Sequence, residues 1–127
     1  MSLNVLIVDD SAPIRKILER VLRHANLALG DVQEAGDGRQ ALAKLASQPS
    51  GHQIGLVISE INMPNMDGLE LLAALKSDDR WKALPVVMVT TEGGQEKVIQ
   101  AIQLGAAGYI RKPFTAEKIN EKLSGIV

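Results

Sequence analysis

The sequence predicts an α/β fold built on a parallel sheet with helices on both faces. Two observations carry that prediction. Five short aliphatic runs alternate strictly with amphipathic helical patterns along the chain, and strand–helix alternation is the mark of βαβ units with right-handed crossovers. Several of the runs are apolar at nearly every position, as strands covered on both faces must be.

The elements follow in order. Leu3-Asn4-Val5-Leu6-Ile7-Val8 reads as a buried strand. Ser11 is placed to cap the helix after it, with Pro13 in the first turn, and Ile14, Ile17, Leu18, Val21 and Leu22 form one apolar face. Asp31-Val32-Gln33-Glu34-Ala35 alternates in polarity, which suits a strand near an edge. Asp37-Gly38 opens a second helix marked by Ala41, Leu42 and Leu45. Ser47 to Gly55 carries the breakers Pro49, Ser50 and Gly51 and reads as a surface loop. Gly55-Leu56-Val57-Ile58 is a third strand, and Leu69, Leu72, Ala73 and Leu75 mark a third helix. Pro85-Val86-Val87-Met88-Val89 is a fourth strand, and Val98, Ile99 and Ile102 mark a fourth helix that ends near Gly105. Ala107-Gly108-Tyr109-Ile110 is a short fifth strand; Thr115 caps a last helix carrying Ile119, Leu123 and Ile126.

Composition narrows the function. The chain has 127 residues, enough for one self-sufficient domain spanning 1–127 and too few for two. A net charge of −1 gives no general attraction to nucleic acid or anionic membrane. The absence of cysteine suits a reducing, cytoplasmic setting, and no apolar run approaches the roughly 20 residues of a membrane span.

Open parallel sheets bind ligands beyond the carboxyl ends of their strands. Asp9 and Asp10 follow the first strand, Ser59, Glu60, Ile61 and Asn62 the third, Thr90 and Thr91 the fourth, and Arg111, Lys112 and Pro113 the fifth. Clustered carboxylates repel and call for a cation; carboxylate and carbonyl oxygens suit Mg²⁺, which also accepts phosphate oxygens. A lysine and a threonine opposite can hold an anion by charge and hydrogen bond. The outline is a phosphoryl-handling site. There is no Gly-x-x-x-x-Gly-Lys-Ser/Thr loop for nucleotide hydrolysis, and the two histidines, His24 and His52, stand apart at a helix end and in a loop. A flavin site is disfavoured, because acids stand where a flavin phosphate needs donors.

The segments Val8-Asp9-Asp10-Ser11, Asn62-Met63-Pro64-Asn65-Met66-Asp67-Gly68-Leu69-Glu70-Leu71-Leu72, Val89-Thr90 and Gly108-Tyr109-Ile110-Arg111-Lys112-Pro113-Phe114 stand in this order. Over its whole length the chain therefore resembles the CheY-like receiver domains of two-component response regulators. The resemblance implies a flavodoxin-like sheet of order 2-1-3-4-5. It implies that Asp9, Asp10, the residue at position 60 and the main-chain carbonyl of Asn62 hold Mg²⁺. It implies that Thr90 is the switch hydroxyl, that Lys112 pairs with the phosphoryl group, and that the Lys112-Pro113 bond is cis. Tyr109 would be the aromatic switch. The fourth helix, fifth strand and fifth helix would meet a downstream protein target, and a sensor histidine kinase or its phosphodonor would be the upstream partner. Such a domain signals by protein contact and is not an enzyme beyond its own phosphoryl transfer.

One residue departs from the family pattern. Glu60 stands where receivers carry the phospho-accepting aspartate. Its extra methylene moves the carboxylate about 1.5 Å outward, and a misplacement of roughly 1 Å can cost about 10²-fold in rate. Ordinary phospho-acceptance is therefore not expected. Glu60 is open to three accounts: partial mimicry of a phosphorylated aspartate, a natural pseudo-receiver that works as a phosphorylation-independent adaptor, or a substitution introduced by design. Asp67-Gly68 reads as turn and helix-start chemistry, Glu92 and Arg111 as surface charges, and Met63 and Met66 as loop packing. Trp81 reads as packing or surface, since the family's reporter tryptophan position beside the acceptor is Ile61 here.

Overall fold

Strands β1 (Leu3–Val8), β2 (Leu29–Ala35), β3 (Leu56–Glu60), β4 (Val86–Thr90) and β5 (Gly108–Arg111) form one parallel sheet ordered β2-β1-β3-β4-β5. Helices α1 (Ala12–His24), α2 (Gly38–Ala46), α3 (Gly68–Lys76), α4 (Gln95–Gln103) and α5 (Ala116–Leu123) connect and follow them. The computed structural model describes residues 2–25, 27–48, 53–90 and 95–126. Pro49, Ser50, Gly51, His52, Thr91 and Glu92 lie outside the described residues.

Alternation along each strand divides the core in two. Leu6, Val8, Val57, Val86 and Met88 face one side, where Ala41 and Leu45 of α2, Leu71, Leu72 and Leu75 of α3, and Val98 and Ala101 of α4 cover them. Val5, Ile7, Leu56, Ile58, Val87 and Val89 face the other, under Leu18 and Leu22 of α1 and Ile119 and Leu123 of α5. β3 and β4 are buried at every position because both faces are covered and neither lies at an edge. The polar β2 takes the edge, as its alternation predicts.

The caps match the expectation. Ser11 Oγ accepts from the Ile14 N–H at 3.3 Å, and Thr115 Oγ1 from Lys118 at 3.2 Å. Asp67 and Glu70 form a reciprocal capping box at the start of α3. Trp81 packs half-buried against the core, with the Arg80 guanidinium 4.0 Å from its ring centroid.

The differences concern ends and faces. β3 runs through Ser59 and Glu60, and β4 through Thr90, so these residues are strand residues and buried. Hydrophobicity alone ended the third strand too early, because a buried strand end that carries a site is polar. Ile17, Ile99 and Ile102 do not seal the core: they are 46%, 49% and 54% exposed. Apolar period marks a face but not its depth, and α4 turns in only Val98 and the small Ala101. Leu71 is fully buried, while Leu69 packs at the margin. Ile126 lies beyond α5 and still packs against the core.

The junction of β3 and α3 is the tightest point near the strand ends. Ser59 Oγ donates to the Glu60 carbonyl at 2.9 Å, and the Gly68 N–H donates to the Ile61 carbonyl at 2.8 Å. A Cβ at position 68 would meet the Glu60 carbonyl oxygen at 2.2 Å and Ile61 Cα at 2.9 Å. Both are backbone atoms that cannot rotate away. Gly68→Ala is therefore expected to destabilise the protein by about 1–3 kcal/mol, the range of an overpacked core. Urea unfolding at neutral pH measures the loss.

Candidate functional site

Parallel register sets the strand ends side by side. Val8 pairs with Ala35 and Ser59, Glu60 with Val89, and Thr90 with Arg111, so the residues around these ends share one edge. Asp9 is 3% exposed, Glu60 5% and Thr90 3%, with Ser59 also buried beside them in a mostly aliphatic interior.

Lys112 closes the group. Its Nζ lies 3.4 Å from Asp9 Oδ2 and 3.1 Å from Glu60 Oε2. The first contact is a long hydrogen bond. The second is an ion pair by distance, but its angle is not that of a hydrogen bond, and Glu60 Oε2 has no hydrogen-bond donor among the described residues. Burial raises the Glu60 carboxyl above its ordinary pKa; Lys112 opposes that rise and Asp9 adds to it. Burial works against the Lys112 charge too, yet the Glu60 and Asp9 carboxylates outweigh it and raise its pKa. The Lys112 N–H also donates to the Thr90 carbonyl at 2.8 Å, which fixes the start of the loop after β5. The Lys112-Pro113 bond is cis, as expected.

Asp9 is held from three sides. Its Oδ1 accepts from the Ser11 N–H at 2.9 Å, its own N–H donates to the Ala35 carbonyl at 3.1 Å, and Arg15 Nη1 donates to its carbonyl at 2.6 Å. Arg15 Nε in turn donates to Glu34 Oε1 at 2.9 Å, and Lys16 Nζ donates to Glu34 Oε2 at 2.7 Å. The sequence reading missed Arg15 and Glu34. The available signal was an acid on an edge strand, one helix away from the basic pair Arg15-Lys16.

The structure thus brings together Asp9, Glu60 and Lys112, with Thr90 buried at the adjoining strand end. Asp10 and Asn62 are exposed at the rim, and Lys97 of α4 donates to Asn62 Oδ1. Tyr109 stands apart on β5, half-buried, with the Lys122 ammonium 5.4 Å from its ring centroid. Thr91 lies outside the described residues. The donors at this edge are hard oxygens, the class that Mg²⁺ takes, and the buried, undonated Glu60 Oε2 is an acceptor a cation would satisfy. Among the described residues, no three acids stand in a ready metal-holding cluster, and Lys112 supplies the positive charge between Asp9 and Glu60. Among the same residues, no helix is long and apolar enough to cross a membrane.

A family model described as the response regulator receiver domain matches residues 5–124. The chain belongs to that family. The receiver is 41% identical over 125 residues to the chemotaxis protein CheY-3 of Vibrio cholerae, covering 98% of this chain and 92% of that protein. It is 40% identical over 124 residues to the chemotaxis protein CheY of Pseudomonas aeruginosa, covering 98% and 95%. The structure of the chemotaxis response regulator CheY4 of Vibrio cholerae superposes with a TM-score of 0.84 at 35% identity, over 100% of both chains. The receiver thus has the CheY-like architecture of two-component signalling, and its sheet order is the one expected.

Glu34 provides a pH test of the brace beneath Asp9. The Lys16 hydrogen bond lowers its pKa below the ordinary 4.5, against partial burial and with help from Arg15. A carboxyl whose folded pKa is depressed stabilises the fold above its unfolded pKa, and that stabilisation is lost as pH falls through the folded value. Glu34→Gln is expected to lower the urea midpoint at pH 7. The gap to the parent protein should close as pH falls below 4.5.

Proposed function

We propose that this receiver is a two-component signalling switch whose acceptor position holds Glu60 in place of aspartate, and whose pocket is engaged without phosphorylation. The observation that carries this reading is the buried ion pair between Glu60 and Lys112 at 3.1 Å. In the family, the lysine pairs with the phosphoryl group; here the longer glutamate side chain occupies that lysine itself. A carboxylate carries one charge and two oxygens, against roughly −1.5 to −2 and three for a phosphoryl group, so the mimicry is partial. Phosphoryl transfer depends on in-line placement of the acceptor, which the extra methylene disturbs. A histidine kinase or its phosphodonor is thus an ancestral or impaired partner, and the chain is not an enzyme on any separate substrate.

Receivers generally bind Mg²⁺ at the acceptor site. In this chain Asp9, Asp10, Glu60 and the Asn62 main-chain carbonyl would hold it. The bound ion would neutralise phosphate oxygens. Asp9 and Glu60 would share their negative charge between that ion and Lys112, and Thr90 would supply the hydroxyl at the adjoining strand end.

Output runs through the face of α4, β5 and α5. Ile99, Ile102 and Leu104 are exposed on this side, and half-buried Tyr109 shares a shallow surface pocket with Arg111, Lys118, Glu121 and Lys122. Exposed aliphatics with three positive charges to one negative fit a protein partner with an apolar contact and a net acidic rim. The same face favours the adaptor reading, in which it binds its target whatever the state of the pocket. The setting is cytoplasmic, and the likeness to chemotaxis proteins makes a motility pathway the first place to look.

Acetyl phosphate with Mg²⁺ is expected to give no stable phosphoprotein by intact mass, while Glu60→Asp gives stoichiometric labelling. A stoichiometric adduct on Glu60 of the unaltered chain would overturn the reading. A Glu60→Asp protein that stays unlabelled would show that more than the acceptor has been lost.

A further inference from the structure

We propose that Asp37 is a positioning residue for the acceptor pocket, acting through a hydrogen-bonded clasp to Asn65. The loop from Ile61 to Asp67 begins directly after Glu60 and carries Asn62. Its base is pinned by the Gly68 N–H on the Ile61 carbonyl at 2.8 Å. Its far side is held by α2, a helix that contributes no residue to the pocket.

Asp37 is 6% exposed and uses both carboxylate oxygens. Oδ1 accepts from the Gln40 N–H at 2.9 Å, which caps α2. Oδ2 accepts from Asn65 Nδ2, also at 2.9 Å, across 28 residues of sequence. Capping needs only the first of these bonds. The second ties the helix to the acceptor loop. These two donors, Gln40 first and then Asn65, hold the Asp37 carboxyl below its ordinary pKa.

Asn65 is built for the contact. Its φ is 65°, a left-handed conformation that favours glycine. Glycine would satisfy the backbone there, but only asparagine tolerates that region and also supplies an amide donor. The turn is narrow, with the Met66 N–H on the Pro64 carbonyl at 2.7 Å. Next to it, the Gly38 N–H donates to the Met66 carbonyl at 2.9 Å. A Cβ at position 38 would meet Met66 Cγ at 2.5 Å and Sδ at 2.8 Å, so the Met66 side chain fills the space over Gly38 and would have to move for any side chain there. The clasp therefore has a side-chain bond and a main-chain bond, both from the first two residues of the α2 start. Lys97 of α4 holds Asn62 on the other flank of the loop. The loop is thus held from both sides, and the side chain of Glu60 leaves the strand just before it.

A pair exchange tests the clasp. Asn65→Asp sets two carboxylates against each other. Adding Asp37→Asn restores a donor and an acceptor with their roles reversed, and asparagine is as good an N-cap as aspartate. Amide hydrogen exchange is read at Gly38 and Gly68. Labelling by acetyl phosphate is read in the same variants carrying Glu60→Asp. Asn65→Asp is expected to speed exchange at both glycines about tenfold, the scale of one lost hydrogen bond left facing a like charge, and to slow labelling by a similar factor. The pair exchange should restore both. If Asn65→Asp leaves exchange unchanged, or the pair does not restore it, there is no clasp. If exchange responds but labelling does not, Asp37 is structural only and the positioning role is wrong. The labelling arm rests on the acceptor-pocket reading. Should the Glu60→Asp parent take no label, that reading fails while exchange still decides the clasp, and positioning is then judged by whether the Glu60 and Lys112 side-chain resonances shift in Asn65→Asp and return in the pair.

Discussion

Two carboxylates buried side by side cannot both stay charged in a protein interior without a cation between them. That constraint organises this molecule's functional end. Asp9 follows β1 and Glu60 ends the neighbouring β3, and parallel register leaves them on one edge with aliphatic walls below. The Lys112 ammonium, delivered from the end of β5, lies within 3.4 Å of the first and 3.1 Å of the second. The sheet order makes this possible. β1 and β3 are adjacent, so the acids at their ends meet, while β5 lies two strands from β3 and three from β1, and only a long, flexible side chain can reach past β4 to them.

Around that ion group the backbone is fixed by short contacts, each drawing on a different element. Arg15 of α1 holds the Asp9 carbonyl and is itself neutralised by Glu34 on the edge strand. Ser59 and Gly68 crowd the Glu60 carbonyl from two directions. α2 and α4 grip the following loop at Asn65 and Asn62. A phosphoryl-transfer site works mainly by placement, so its precision has to come from such neighbours. None of them takes part in the chemistry, and all of them bear on where the acceptor stands.

This division explains which parts the sequence disclosed. Strand–helix alternation and the two-sided burial of β3 and β4 are written in hydrophobicity, so the architecture was legible. Asp9, Glu60, Thr90 and Lys112 were legible because each interrupts an aliphatic pattern at a strand end. The braces were not. Arg15, Glu34 and Asn65 are polar residues on exposed-looking positions, and their partners lie 6 to 28 residues away, or farther along the fold than any local pattern reaches. Asp37 was half-read: its cap to Gln40 is local, while its second bond depends on how α2 meets the acceptor loop. Ile99 and Ile102 misled in the opposite sense, since a helical apolar stripe looks the same whether it faces a core or a partner.

Glu60 can change the chemistry without disturbing the fold because the two rest on forces of different kind. The architecture depends on many aliphatic side chains fully removed from water, each contributing about 1.5–3 kcal/mol, against which one added methylene at a polar strand end is a small change. The chemistry depends on the place of a single oxygen. In Glu60 that oxygen already faces the ammonium that would otherwise meet an incoming phosphoryl group, and burial weakens its hold on the negative charge. On the proposed reading, a nucleophile both displaced and paired would be a poor acceptor for two separate reasons. The pairing also carries a consequence that the displacement does not: it engages Lys112, whose ammonium lies 3.1 Å from Glu60 Oε2. On the proposed reading, impaired phosphorylation and partial engagement of the switch would both follow from the place of this one carboxylate.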